Sequence, residues 1–163
     1  MKTIVTGEVN TGKTSALLAH YETHQTGDGF ASVKVMVKNR VSHYDAMRLS
    51  TKEKRMLTVH EQSYDHSMGE YIRVGPYRML KETMRWVETT IKTLIDNHVT
   101  PMYFDEIGPL ELSGKGFDNM VRALVAFPCV VVIRSQCLQE AFVRYTLDNA
   151  TIIDVSRKES RHV

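Results

Sequence analysis

Two glycines, a lysine and a hydroxyl residue fall at fixed intervals in Gly7-Glu8-Val9-Asn10-Thr11-Gly12-Lys13-Thr14-Ser15, directly after the apolar stretch Thr3-Ile4-Val5-Thr6. Residues of these types at this spacing can cradle a polyphosphate. Glycines let successive backbone N–H groups turn inward around an anion, a lysine ammonium reaches β- and γ-phosphates, and a hydroxyl ligates magnesium. Residues 7–15 are therefore candidate phosphate-binding positions, with Lys13 also a candidate catalytic residue and Thr14 a candidate magnesium ligand.

A magnesium-nucleotide site needs an acid at a neighbouring strand end, commonly acting through the metal's water shell because magnesium dehydrates reluctantly. Asp105, directly after Met102-Tyr103-Phe104, is the candidate. Glu106 is placed to accept a hydrogen bond from a water aimed at the γ-phosphorus. Arg134, after the apolar run Val130 to Ile133, has two readings: an in-chain arginine finger on the γ-phosphate, or a solvated strand-end charge.

Strands and helices must bring these residues together. A strand over Thr3–Thr6 leads through the loop into a helix from about Lys13, with Leu17, Leu18 and Tyr21 on one face, its N-terminus adding positive charge under the phosphates. Ser32 to Val37 alternates like a strand. Tyr44 to Leu49 and Arg55 to His60 suggest two strands around the polar turn Ser50 to Lys54, and residues 38–70 carry the weakest pattern of the chain. Leu80, Met84, Val87, Ile91, Leu94 and Ile95 recur at spacings of three and four and predict a helix over 79–97. A strand at Met102–Phe104, a helix around Phe117 to Val125, a buried strand at Val130–Ile133, a helix around Leu138 to Tyr145 and a strand at Thr151–Val155 complete the pattern. Alternation of strand and helix argues an α/β fold with a parallel sheet covered on both faces, where ligands bind beyond the carboxyl ends of the strands.

With 163 residues and 42% apolar content, the chain suits one domain spanning 1–163. Twenty-one basic against 19 acidic residues leave a net charge of +2, which gives no long-range field toward nucleic acid or anionic lipid. The basic tail Arg157 to His162 reads as a solvated end. The apolar run Leu124 to Ile133 is broken by Pro128 and too short for a bilayer, and a strand beginning almost at Met1 leaves no room for a signal peptide. A cytoplasmic protein without a membrane partner is expected. Cys129 and Cys137 lack metal-ligand spacing and no disulfide is expected; Cys129, in an apolar run, is expected as a buried thiol. His20 and His24, four apart on a helix without a third ligand, are expected at the surface.

The stretch Asp105-Glu106-Ile107-Gly108-Pro109-Leu110-Glu111-Leu112 resembles the Asp-Glu-Ile-Gly-x-Met-Glu-Leu signature of the small P-loop nucleoside triphosphatases of the thermostable type, a family with a human cancer-related member. Val74-Gly75-Pro76-Tyr77-Arg78 and Tyr44-Asp45 resemble two further segments of that family, the second in its β-ribbon. The resemblance implies a three-layer P-loop NTPase with a RecA-like core, a mostly parallel sheet with helices on both faces, and a β-ribbon insertion. It also implies magnesium-dependent, slow hydrolysis of ATP, GTP and other nucleoside triphosphates with broad base tolerance. By this match Gly7, Gly12, Lys13 and Thr14 bind phosphates, Asp105 serves the metal and Glu106 the water. Glu111 is expected to anchor the loop after Asp105, and Arg78 either to touch nucleotide or to cap the segment before the long helix.

Three function classes follow: a hydrolase using water, a nucleotide or small-metabolite kinase with Arg134, Arg144, Arg157 or Arg161 on a closing lid, and a nucleotide-binding adaptor or switch with incidental turnover. A kinase has no need of an acid aligned on water, so the Asp105-Glu106 pair favours the hydrolase.

Overall fold

The computed structural model describes residues 1–156. The strands are β1 (Lys2–Gly7), β2 (Asp28–Val37), β3 (Arg40–Arg48), β4 (Lys54–His60), β5 (Tyr71–Val74), β6 (Tyr77–Leu80), β7 (Met102–Ile107), β8 (Cys129–Arg134) and β9 (Thr151–Asp154). The helices are α1 (Lys13–His24), α2 (Lys81–Asp96), α3 (Pro109–Leu112), α4 (Asp118–Leu124) and α5 (Leu138–Tyr145). All nine strands form one sheet in the order β5-β6-β4-β3-β2-β7-β8-β1-β9. From β2 to β9 every neighbouring pair is parallel, whereas β3, β4, β6 and β5 extend the β2 edge as an antiparallel ribbon. Pair by pair, β3 and β6 run against the other seven strands, so the sheet is mixed but mostly parallel in direction.

The parallel half is buried on both faces because its strands are apolar at successive positions, and strand side chains alternate between faces. Ile4, Phe104, Val131 and Ile133 join Val87, Ile91, Val121, Leu124 and Ala141 in the larger core. Val5, Tyr103, Val130 and Val132 meet Leu17 in the smaller one. Helices therefore cover both faces, giving three layers. In α2, Met84, Val87, Ile91 and Leu94 are buried at helical spacing, and full burial of such a side chain is worth about 1.5–3 kcal/mol. The helix stops where Asn97 and His98 turn back on Thr93 and Ile95, His98 having a positive φ of 56°.

The ribbon departs most from the sequence reading. Four antiparallel strands form where two were expected. Lys38 and Asn39, with φ of 51° and 63°, make the two-residue turn that joins β2 to β3, since a tight hairpin of matching twist needs positive φ at both central positions. β5 and β6 pair around Gly75-Pro76, in a segment read beforehand as leading straight into a helix. α2 accordingly begins at Lys81, after β6. The ribbon is tied to the core by Arg55, 4.3 Å over the Trp86 ring, and by the Thr83 hydroxyl, which donates to the Met56 carbonyl at 2.6 Å.

Among the described residues no helix is long and apolar enough to cross a membrane. Cys129 is a buried thiol, as its apolar run predicts, and Cys137 is buried and free as well. The tail from Arg157 lies outside the described residues.

Candidate functional site

Residues 8–12 form the loop that joins β1 to α1. A Cβ on Gly7 would stand 2.7 Å from both the Thr11 hydroxyl and a Val155 methyl, so a larger residue there would force these side chains to shift. Gly12 begins α1 with a left-handed φ of 88°, and no side chain caps the helix, which leaves its first-turn N–H groups for an external acceptor. Lys13 is buried, its ammonium turned back to donate to the Glu8 carbonyl, and the Thr11 hydroxyl donates to the same oxygen at 2.6 Å.

β7 brings the acids to this loop. The strand runs past its expected end to Ile107, so Asp105 and Glu106 lie within it. Asp105 Oδ2 accepts from the Thr14 hydroxyl at 2.7 Å and from the Ser32 amide of β2 at 3.0 Å. Burial at the base of the loop pushes its carboxyl up to about 6, while the Ser32 and Thr14 hydrogen bonds pull it down. The β7–β8 register shifts between Asp105 and Ile107, so Glu106 has no opposite residue; such a bulge re-aims a side chain. Glu106 Oε1 accepts from Arg134 Nε at 3.2 Å and Nη2 at 3.1 Å.

Thr14 and Asp105 present adjacent oxygen donors, the ligand chemistry magnesium prefers. No group of three or more His, Cys, Asp or Glu able to hold a metal occurs among the described residues. A nucleotide-borne magnesium needs few protein ligands because phosphates and water supply the rest, so these two residues fit it.

Glu111 anchors the segment after β7: buried in α3, it accepts from the Gly108 amide at 3.0 Å and the Phe117 amide at 3.1 Å. Burial raises its pKa, against those amide bonds. Arg78 lies in β6 with its guanidinium 4.6 Å from the centroid of each of the Tyr64 and Tyr71 rings. Arg144 is committed to Asp118, at 3.0 and 2.9 Å, and Arg157 and Arg161 fall outside the described residues. His24 is exposed, but His20 is half-buried and bonds the Tyr103 hydroxyl at 2.8 Å, a tie that four-residue spacing did not reveal.

Two ribbon residues complete the surroundings. Lys34 of β2 donates to Asn10 Oδ1 in the phosphate loop at 3.4 Å. Tyr44 of β3, paired with Lys34, lies within electrostatic reach of Glu106 and Arg134; burial raises its pKa first, then Tyr77 and Glu106. The Ser32–Val37 alternation had marked Lys34's strand, but its partner depends on the Lys38-Asn39 turn.

The model of the NTPase family matches residues 2–162 of this chain. The chain belongs to this NTPase family. Two solved structures share the fold of this NTPase. THEP1 from the hyperthermophile Aquifex aeolicus superposes with a TM-score of 0.70 at 19% identity, over 98% of this chain and 93% of its own. A human cancer-related nucleoside triphosphatase superposes with a TM-score of 0.67 at 19% identity, over 99% and 92% of the two chains. No curated protein sequence matches the NTPase chain. The expected family and its P-loop α/β architecture are thereby shown, and membership of the NTPase family supports nucleoside triphosphate hydrolysis in general terms.

Proposed function

We propose that this NTPase cleaves the β–γ bond of nucleoside 5′-triphosphates with water, slowly and with broad base tolerance, as a single cytoplasmic P-loop domain needing magnesium and neither nucleic acid nor membrane. The observation that carries the reading is the Thr14–Asp105 hydrogen bond at 2.7 Å, which sets an acid against the loop hydroxyl with Glu106 next along the strand. Residues 7–15 hold the phosphates through loop amides and the α1 N-terminus, and Lys13 exchanges its Glu8 carbonyl for phosphate oxygens. Thr14 and Asp105 would hold magnesium, which when bound would supply neutralising charge to the phosphates. Glu106 orients the water and accepts its proton as the water oxygen bonds the γ-phosphorus and the bridging oxygen leaves with the diphosphate. Arg134 positions the Glu106 carboxylate by donating to its Oε1. Tolerance of the base follows from a site whose named contacts are to phosphates.

The kinase alternative has less support, because Arg144 is engaged by Asp118 rather than free on a lid. Phosphate release from ATP, GTP, CTP and UTP with and without magnesium, for wild type, Lys13→Ala and Glu106→Gln, tests the proposal. Release by wild type from all four, with Glu106→Gln binding nucleotide but inactive, is the expected result. Tight wild-type binding without release overturns it.

A further inference from the structure

β2 does not end where the parallel sheet ends. It pairs with β7 from Asp28 to Phe30, then runs on to Val37 beside β3. In this overhang Lys34 stands directly opposite Tyr44, and directly opposed residues of an antiparallel pair share one face. That face meets the site at two places. Lys34 Nζ is 3.4 Å from Asn10 Oδ1 in the phosphate loop, and Tyr44 lies within electrostatic reach of Glu106 and Arg134. The Tyr44 ring is backed by Tyr77 of β6, with centroids 5.9 Å apart, so the ribbon holds this face in place.

We propose that the overhang is a further wall of the nucleotide site, and that Lys34 is a specificity-determining cation that contacts the γ-phosphate and separates triphosphates from diphosphates. The inference rests on the nucleotide reading above. Lys34 now holds a long, exposed bond to a neutral amide, and a phosphate oxygen offers a shorter charge-assisted one. Among the described residues it has no carboxylate partner, whereas the Arg134 charge is already met by Glu106. Lys13 and the α1 N-terminus serve the phosphates from within the loop. Glu106 marks the side from which water approaches the γ-phosphorus, and Lys34 shares the face that looks toward it.

The test is equilibrium binding of a non-hydrolysable ATP analogue and of ADP, each with magnesium, to wild type, Lys34→Ala and Lys34→Arg, with turnover measured on the same preparations. Lys34→Ala is expected to weaken the ATP analogue by about tenfold or more, the loss of one bond to a charged group. It should leave ADP affinity nearly unchanged and raise KM, and Lys34→Arg should restore most of the discrimination. Thermal melts of both variants confirm that an exposed side chain was changed without loss of fold. Equal weakening of ATP analogue and ADP, or weakening of neither, overturns the assignment. A wild type that releases no phosphate overturns the hydrolysis reading instead, while the ratio of the two affinities still decides Lys34.

Discussion

Arg134 donates its Nε and Nη2 to one oxygen of Glu106, at 3.2 and 3.1 Å, across the β7–β8 strand pair. The other Glu106 oxygen makes no hydrogen bond among the described residues and is open to water. Both bonds end on Oε1, so the guanidinium restrains the position of that oxygen through charge-assisted bonds and leaves Oε2 as the available acceptor.

Glu106→Gln keeps the shape and removes the basicity. Turnover is expected to fall about 10²–10⁴-fold, the usual worth of a positioned general base, with nucleotide affinity retained. Single-turnover phosphate release beside a binding titration checks both halves.

Arg134→Ala frees Glu106 to rotate and should lower turnover about 10–100-fold, the scale of a misplaced catalytic group. Residues acting as a unit are non-additive. The double variant with Glu106→Gln should therefore be no slower than Glu106→Gln alone, and a multiplicative loss would give Arg134 an independent contact with phosphate.

Much of this site could be read from the chain because its members are local signals. The loop glycines, Lys13 and Thr14 occupy one short run at the end of an apolar stretch, and Asp105, Glu106 and Arg134 directly follow apolar runs that mark their strands. Glu111 also kept its expected anchoring role. The ribbon was only half legible. β5 and β6 have four residues each, too few for alternation to register, and Tyr77–Leu80 carries apolar residues that also suit the start of a helix. Lys34 and Tyr44 went unnoticed as neighbours because their pairing depends on a turn made by Lys38 and Asn39, where positive φ, not glycine, does the work. The reach of Lys34 to Asn10 is likewise a tertiary fact with no local trace.

Ile91, 1% exposed in the larger core, offers a test of the packing. Ile91→Ala should cost about 2–5 kcal/mol of stability through lost burial and the cavity left behind. Turnover per folded molecule should be unchanged, and urea unfolding together with active-site titration separates the two.

Asp118 is buried in α4, where the Arg144 guanidinium, the Tyr145 hydroxyl at 2.7 Å and Arg122 hold its carboxyl well below its ordinary value of 3.8, against the cost of burial. A depressed folded pKa contributes stability that is complete above the unfolded value and disappears as pH falls through the folded one. The melting temperature of Asp118→Asn should therefore trail wild type at neutral pH, and the gap should close as pH drops below about 4. A gap independent of pH would show that the carboxylate charge contributes nothing.

β2 belongs to two structures at once, pairing with β7 at its start and with β3 along most of its length. The ribbon is thus spliced into the sheet rather than hung from it. Excising residues 38–80 would strip β2 of its outer partner and bare a row of backbone donors and acceptors, the kind of open edge along which chains add to one another. The same shared strand couples ribbon and core: a tilt of the ribbon carried as a twist of β2 past Ser32, whose amide donates to Asp105, is felt at that carboxylate.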